Sequence, residues 1–158
     1  MAATSVLIAF DGSDAARRAV SEAAKLFGGR PALVATVWEP ALAYALAAMP
    51  PAGLEMQPTT IDIGEAKERE QELEGNARRV AEEGAELARS GGLVAEALAV
   101  AGGTNPAEAI VELAGERSVA AIVIGSRGLS GLRARLEGST SSHVVREAPC
   151  PVLVVHDT

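Results

Sequence analysis

Three stretches of the chain are unbroken apolar runs: Ser5 to Phe10 (SVLIAF), Ala120 to Ile124 (AAIVI) and Val152 to Val155 (VLVV). Runs of this length, rich in β-branched residues and without in-and-out alternation, suit strands of a parallel sheet covered on both faces. Ala32 to Trp38 (ALVATVW) is a fourth strand of the same kind, and Val94 to Val100 (VAEALAV) a fifth. The fifth carries Glu96. A charge inside a strand needs water, which places this one at the edge of the sheet.

Between the runs the apolar period changes to that of a helix. Ala15, Ala16, Ala19, Val20, Ala23, Ala24 and Phe27 fall on one stripe, with Ser13 or Asp14 to cap its start and Gly28-Gly29 to stop it. Gly64 to Ser90 is a long Glu-, Arg- and Ala-rich helix, ended by Gly91-Gly92. Its predicted inner face is Leu73, Ala77, Val80, Ala81, Gly84, Leu87 and Ala88. Asn105-Pro106 sets a cap residue before a proline at the first helical position, and Ala107, Ile110, Val111 and Ala114 line the helix that follows. A short last helix runs from Ser139 to Glu147 and stops before Pro149.

The order is β-α-β-α-β-α-β-α-β in 158 residues, the length of one domain. Such alternation predicts an α/β fold: a doubly wound, Rossmann-like parallel sheet with right-handed crossovers and helices on both faces. Sheets of this kind bind ligands outside the carboxyl ends of the strands, where strand order reverses. That selects Asp11, Trp38 with Glu39, Gly102-Gly103, Gly125 with its loop, and His156. The segment Glu39 to Asp62, with Pro40, Pro50, Pro51 and Pro58, is a long connector.

Composition narrows the function. With 14 Lys plus Arg against 21 Asp plus Glu the net charge is −7, so bulk attraction to nucleic acid phosphates is not expected. Aromatics are 3%, leaving a core of Ala, Val, Leu and Ile. Cys150 stands alone between Pro149 and Pro151, so the chain builds no internal disulfide and no cysteine zinc site. The two histidines, His143 and His156, are too few for a histidine metal cage. Val6 to Phe10 is too short for a signal peptide, and Ala41 to Met49 is too short to span a bilayer. A cytoplasmic protein without membrane contact is expected.

The loop after the fourth strand, GSRGLSGLRARLEGSTSSHVV, holds Gly125, Gly128, Gly131 and Gly138 with Arg127, Arg133 and Arg135 between them. Ser139, Thr140, Ser141 and Ser142 open the next helix. Glycines let a polyanion approach the backbone, and a helix start supplies free amides and a positive dipole end. The same features also describe a Gly-rich surface turn with a Ser/Thr cap. Position favours phosphate binding, because the loop leaves the carboxyl end of a buried strand. Asp11 leaves the first strand at the same end. If those strands are neighbours, it faces the glycine loop and can take a ribose hydroxyl or help hold a metal ion. Its other role would be to cap the first helix.

Gly125-x2-Gly128-x9-Gly138-Ser139 resembles the Gly-x2-Gly-x9-Gly-(Ser/Thr) signature of the ATP-binding branch of the universal stress protein family. The resemblance extends to SVLIAFDGSDAARRAV, AGGTNPAEAIVELA and the segment from Ala120 to Val155, and it is weakest over the Glu39 to Asp62 connector. It implies a single nucleotide-binding domain with five strands in the order 3-2-1-4-5, which agrees with the edge position that Glu96 demands. It also implies an ATP site: Ala9 and Phe10 lining the pocket, Asp11 beside the adenosine, the Val37 backbone at the adenine edge and Gly125 near the ribose. Arg127, Gly128, Gly138, Ser139, Thr140 and Ser141 would surround the phosphates, with Mg2+ as companion ion and Asp11 as an indirect contact to it. A homodimer joined through Val152–Val155 is implied as well. These valines and Leu153 form an edge strand with no lysine and no internal proline to discourage pairing.

Other motifs are missing. The only lysines, Lys25 and Lys67, are far from any glycine loop, so there is no Gly-x4-Gly-Lys-(Ser/Thr). There is no Gly-x-Gly-x2-Gly, and no Gly-x-Ser-x-Gly to make Ser126 or Ser130 a nucleophile. His143, next to Val144, reads as a surface residue rather than a general base, and Arg17-Arg18 and Arg78-Arg79 as solvated helix faces. Turnover of ATP needs a positioned base or water-orienting group, and Asp11 is the only candidate. The expectation is a regulatory, stress-response nucleotide sensor whose occupancy is read by a protein client. Slow hydrolysis or nucleotidyl transfer is the enzymatic alternative.

Overall fold

The computed structural model describes residues 5–40, 63–103, 105–126 and 140–156. Within them the elements are β1 (Val6–Ala9), α1 (Asp14–Phe27), β2 (Pro31–Trp38), α2 (Ile63–Ser90), β3 (Val94–Ala101), α3 (Pro106–Glu116), β4 (Ala121–Gly125), α4 (Thr140–Glu147) and β5 (Val152–Val155). The strands form one parallel sheet in the order β3-β2-β1-β4-β5. The first strand of the chain is therefore the central one. Val6 pairs with Ala32 on one side and Ala121 on the other.

The central strand divides its side chains between two cores, as a two-sided sheet requires. Val6, Ile8 and Phe10 pack with Ala16, Ala19, Val20 and Ala23 of α1 and with Ala85 and Ala88 of α2. Leu7 packs with Ala107, Ile110 and Leu113 of α3 and with Val144 of α4. Leu7, Ile8, Ile122 and Val123 have no exposed surface. At about 25 cal/mol per Å2 of apolar surface removed from water, their burial is a leading stabilising term. Small residues on the inner faces of α1 and α2 let both helices lie close to the sheet. Gly84 marks the tightest point, where an added Cβ would lie 2.7 Å from the Phe10 ring and 2.8 Å from Val34.

The inner face of α2 is rotated slightly from the expected one. Ala77, Ala81, Gly84, Ala85 and Ala88 are buried, while Leu87 keeps 38% of its surface exposed. The cause is steric. A helix pressed onto the sheet turns its smallest side chains inward and leaves the longer leucine on its flank. Arg17, Arg78 and Arg79 are exposed as expected, Arg17 of α1 bonded to Glu83 of α2 and Arg78 to Glu74, whereas Arg18 is half-buried with its Nε out of solvent. Glu96 is exposed on the edge strand β3. Among the described residues, no helix is long and apolar enough to cross a membrane. From residue 41 on, the Glu39–Asp62 connector lies outside the described residues.

Candidate functional site

Strand order reverses between β1 and β4. From β1 the chain winds outward through β2 to β3, and from β4 it winds the opposite way to β5. The helices that follow β1 and β4 lie on opposite faces of the sheet, α1 on one and α4 on the other. In doubly wound sheets the ligand crevice lies between two such elements, at the carboxyl ends of the strands.

Asp11 stands at one lip of that crevice, exposed, with Oδ1 accepting the Ser13 backbone N–H at 2.9 Å. Ser13 is the residue that caps α1, its Oγ accepting from the Ala16 N–H at 3.2 Å. The first helix thus has its cap without Asp11, which shapes the turn before it. Gly12 completes this turn with φ +81°, a conformation that a side chain makes costly.

Gly125 closes the other side. A Cβ here would lie 2.4 Å from the Ala15 carbonyl oxygen and 2.6 Å from its carbon. Only glycine lets β4 end directly under the first turn of α1. The next residue, Ser126, donates its N–H to the Val155 carbonyl at 2.8 Å, and its Oγ shares a 3.2 Å hydrogen bond with His156 Nδ1. This pair ties the ends of β4 and β5 together in solvent. It has the reach of a serine nucleophile and its base, but among the described residues no carboxylate orients His156.

The adjoining strand ends are equally constrained. Thr36 is buried and donates its hydroxyl to the Phe10 carbonyl at 2.8 Å. The Gly102 N–H donates to the carbonyl of half-buried Trp38 at 2.9 Å. Asn105 caps α3, with Oδ1 accepting from the Ala107 N–H at 3.1 Å.

A sequence model of the universal stress protein family matches residues 3–156. The chain belongs to this family. A universal stress protein of Thermus aquaticus is 36% identical over 154 residues, covering 95% of this chain and 96% of its own. One from Mycobacterium tuberculosis is 32% identical over 157 residues, with 97% and 96% covered. Among solved structures, a universal stress protein crystallised in complex with cAMP is 28% identical, with TM-score 0.69 and both chains fully covered.

Set on this universal stress protein sheet, the residues singled out in the sequence separate into groups. Asp11 follows β1, and Gly125 ends the neighbouring strand β4. Ala9 and Val37 belong to the core on the α3 and α4 face, which also carries the start of α4 with Thr140 and Ser141. The Phe10 ring turns the other way, into the core against Gly84, and is 2% exposed. What Phe10 offers the strand end is its backbone. Arg127, Gly128, Gly138 and Ser139 lie outside the described residues.

Three polar contacts at this end of the sheet escape sequence reasoning: Thr36 with Phe10, Ser126 with His156, and Asn105 with His143. His143 is not a free surface residue. It is half-buried, and its Nδ1 accepts from Asn105 Nδ2 at 3.4 Å. Because Asn105 Oδ1 is used by the helix cap, Nδ2 is the atom left to meet the imidazole. Among the described residues, no group of three His, Cys, Asp or Glu side chains could hold a metal ion. Cys150 is half-buried behind β4. Burial pushes its thiol above the ordinary range, against a smaller opposing hydrogen bond with the Ile122 backbone. That suits packing rather than nucleophilic chemistry.

Proposed function

We propose that this chain is an adenine-nucleotide-binding regulatory protein that holds ATP, with Mg2+, in the crevice between β1 and β4. The observation that carries the reading is the reversal of strand order there, with Asp11 and Gly125 on its two sides. The cAMP bound to the 28% identical structural relative supports an adenine nucleotide as the ligand class. The glycine pattern from Gly125 to Ser139 supports a polyphosphate, since each glycine allows backbone amides to approach the oxygens. In this assignment the Val37 backbone meets adenine, Asp11 takes the ribose or touches magnesium indirectly, and Arg127, Gly128, Gly138, Ser139, Thr140 and Ser141 gather the phosphates. A chain with net charge −7 needs such a local cradle to attract an anion.

Bound magnesium would neutralise phosphate charge. The residues of this chain supply orientation and shape, and no lysine accompanies the loop. The work assigned to the protein is signalling by occupancy, as a cytoplasmic homodimer joined through β5 and read by a protein client. Hydrolysis is slow at most. The test is mass analysis of nucleotide released from the purified protein, followed by calorimetric titration with Mg·ATP, cAMP and adenosine and a turnover assay. ATP is expected to bind more tightly than adenosine. Gly138→Val should remove about 3 kcal/mol of that binding, the scale of a lost set of charged hydrogen bonds. An unchanged ATP affinity in folded Gly138→Val protein would overturn the assignment of the loop. Rapid turnover would establish the enzymatic alternative.

A further inference from the structure

α4 has eight residues, and Val144 is its one fully buried side chain. A helix this short does not hold itself in water, so its orientation is set by what it touches. Val144 fixes its depth, seated in the core with Leu7, Ile110 and Ile122. One seated residue still leaves a helix free to turn about its axis. The neighbouring residue supplies a second point of attachment, His143 Nδ1 to Asn105 Nδ2 at 3.4 Å. Residues 143 and 144 are about 100° apart around the axis, so together they bear on both depth and rotation, alongside the contacts that Ser141 and Ser142 make. Thr140 lies three residues before His143 and four before Val144, on the face between the two attachments.

We infer that His143 is a positioning residue for the phosphate end of the nucleotide site. By accepting the Asn105 N–H it sets the rotation of α4, and with it the direction of Thr140, Ser141 and the first-turn amides. Asn105 serves both helices, capping α3 with one amide atom and locating α4 with the other. The turn after β3 is thereby coupled to the start of α4. The inference rests on the proposed nucleotide site and adds to it a residue that touches no ligand.

Two variants break the contact without removing a cap. His143→Leu keeps apolar bulk and loses the acceptor, whereas Asn105→Ser keeps a capping oxygen and loses the donor. His143→Asn restores an acceptor at the same number of bonds from Cα as Nδ1. Calorimetric titration of each, with Mg·ATP and separately with adenosine, is the measurement. His143→Leu and Asn105→Ser should each weaken ATP about tenfold, the scale of one hydrogen bond, and leave adenosine within about twofold. The double variant should be no worse than either single one, and His143→Asn should recover most of the ATP affinity. Equal losses for ATP and adenosine, or no loss for ATP, would overturn the inference while the nucleotide site stands. A wild-type protein that binds neither ligand overturns the nucleotide reading, and the role of His143 falls with it.

Discussion

At the scale of single residues, the site is governed by how closely backbones approach. Gly125 holds the carboxyl end of β4 against the backbone of Ala15, the second residue of α1. A methyl group there has no flexible side chain to push aside, so either the helix start or the strand end must move. Gly125→Ala is expected to cost about 1–3 kcal/mol of stability, the range for overpacking, and to lower the thermal midpoint. It should weaken nucleotide binding as well, because the displaced segments are the two sides of the crevice. Asp11 presents the opposite case. Ser13 keeps its own cap on α1, so Asp11→Ala should change the melting temperature little while reducing ATP affinity. A large loss of stability with unchanged affinity would make Asp11 a purely structural residue. Cys150, raised by burial, should be alkylated more slowly in the native protein than in the unfolded chain at neutral pH. Labelling followed by mass analysis checks this. The sign for stability follows from the same shift. The unfolded thiol ionises first, so its contribution is full below the ordinary thiol range and is lost as the pH rises through the native value.

Among the elements, the join between α3 and β4 carries a removable cost. Ser118 adopts φ 47°, where a side chain costs about 1–2 kcal/mol relative to the right-handed region. Its N–H bonds to the Gly115 carbonyl and the Val119 N–H to that of Ala114, which closes the end of the helix. Ser118→Gly should stabilise the protein by about 0.5–1 kcal/mol after the greater freedom of unfolded glycine is counted. That is an increase of about 1–4 °C in the melting temperature. The elements themselves were legible because buried parallel strands leave a plain mark: SVLIAF, AAIVI and VLVV cannot lie with one side in water. Glu96 located an edge strand for the same reason. The inner face of α2 was less legible, since Ala85 and Leu87 differ little in a periodic pattern and the choice is made by the Phe10 ring and Val34 above Gly84. Asp11 and Gly125 could be named because they directly follow predicted strands. The His143–Asn105 and Ser126–His156 contacts join residues 38 and 30 positions apart, and only the folded sheet brings them together.

For the whole molecule, the sheet order leaves β3 and β5 as edges, and they differ in kind. β3 bears exposed Glu96, whereas β5 is Val152–Val155, apolar throughout and half-buried. Among the described strands, β5 pairs with β4 alone. Its free side is suited to an antiparallel, self-complementary contact with a second copy. Light scattering should report twice the 16.1 kDa chain mass. Val154→Pro, which deletes a strand N–H, should shift the protein toward monomer, whereas a wild-type monomer at high micromolar concentration would refute the dimer. Trp38 gives the fold an optical consequence. It is the chain's sole tryptophan, and it is half-buried at the same end of the sheet as Asp11, its carbonyl held by the Gly102 N–H. Under light that indole alone absorbs, the whole protein emits from this one position. The colour and yield of that emission follow the water around the ring, so a molecule settling nearby announces itself without a dye attached to the chain.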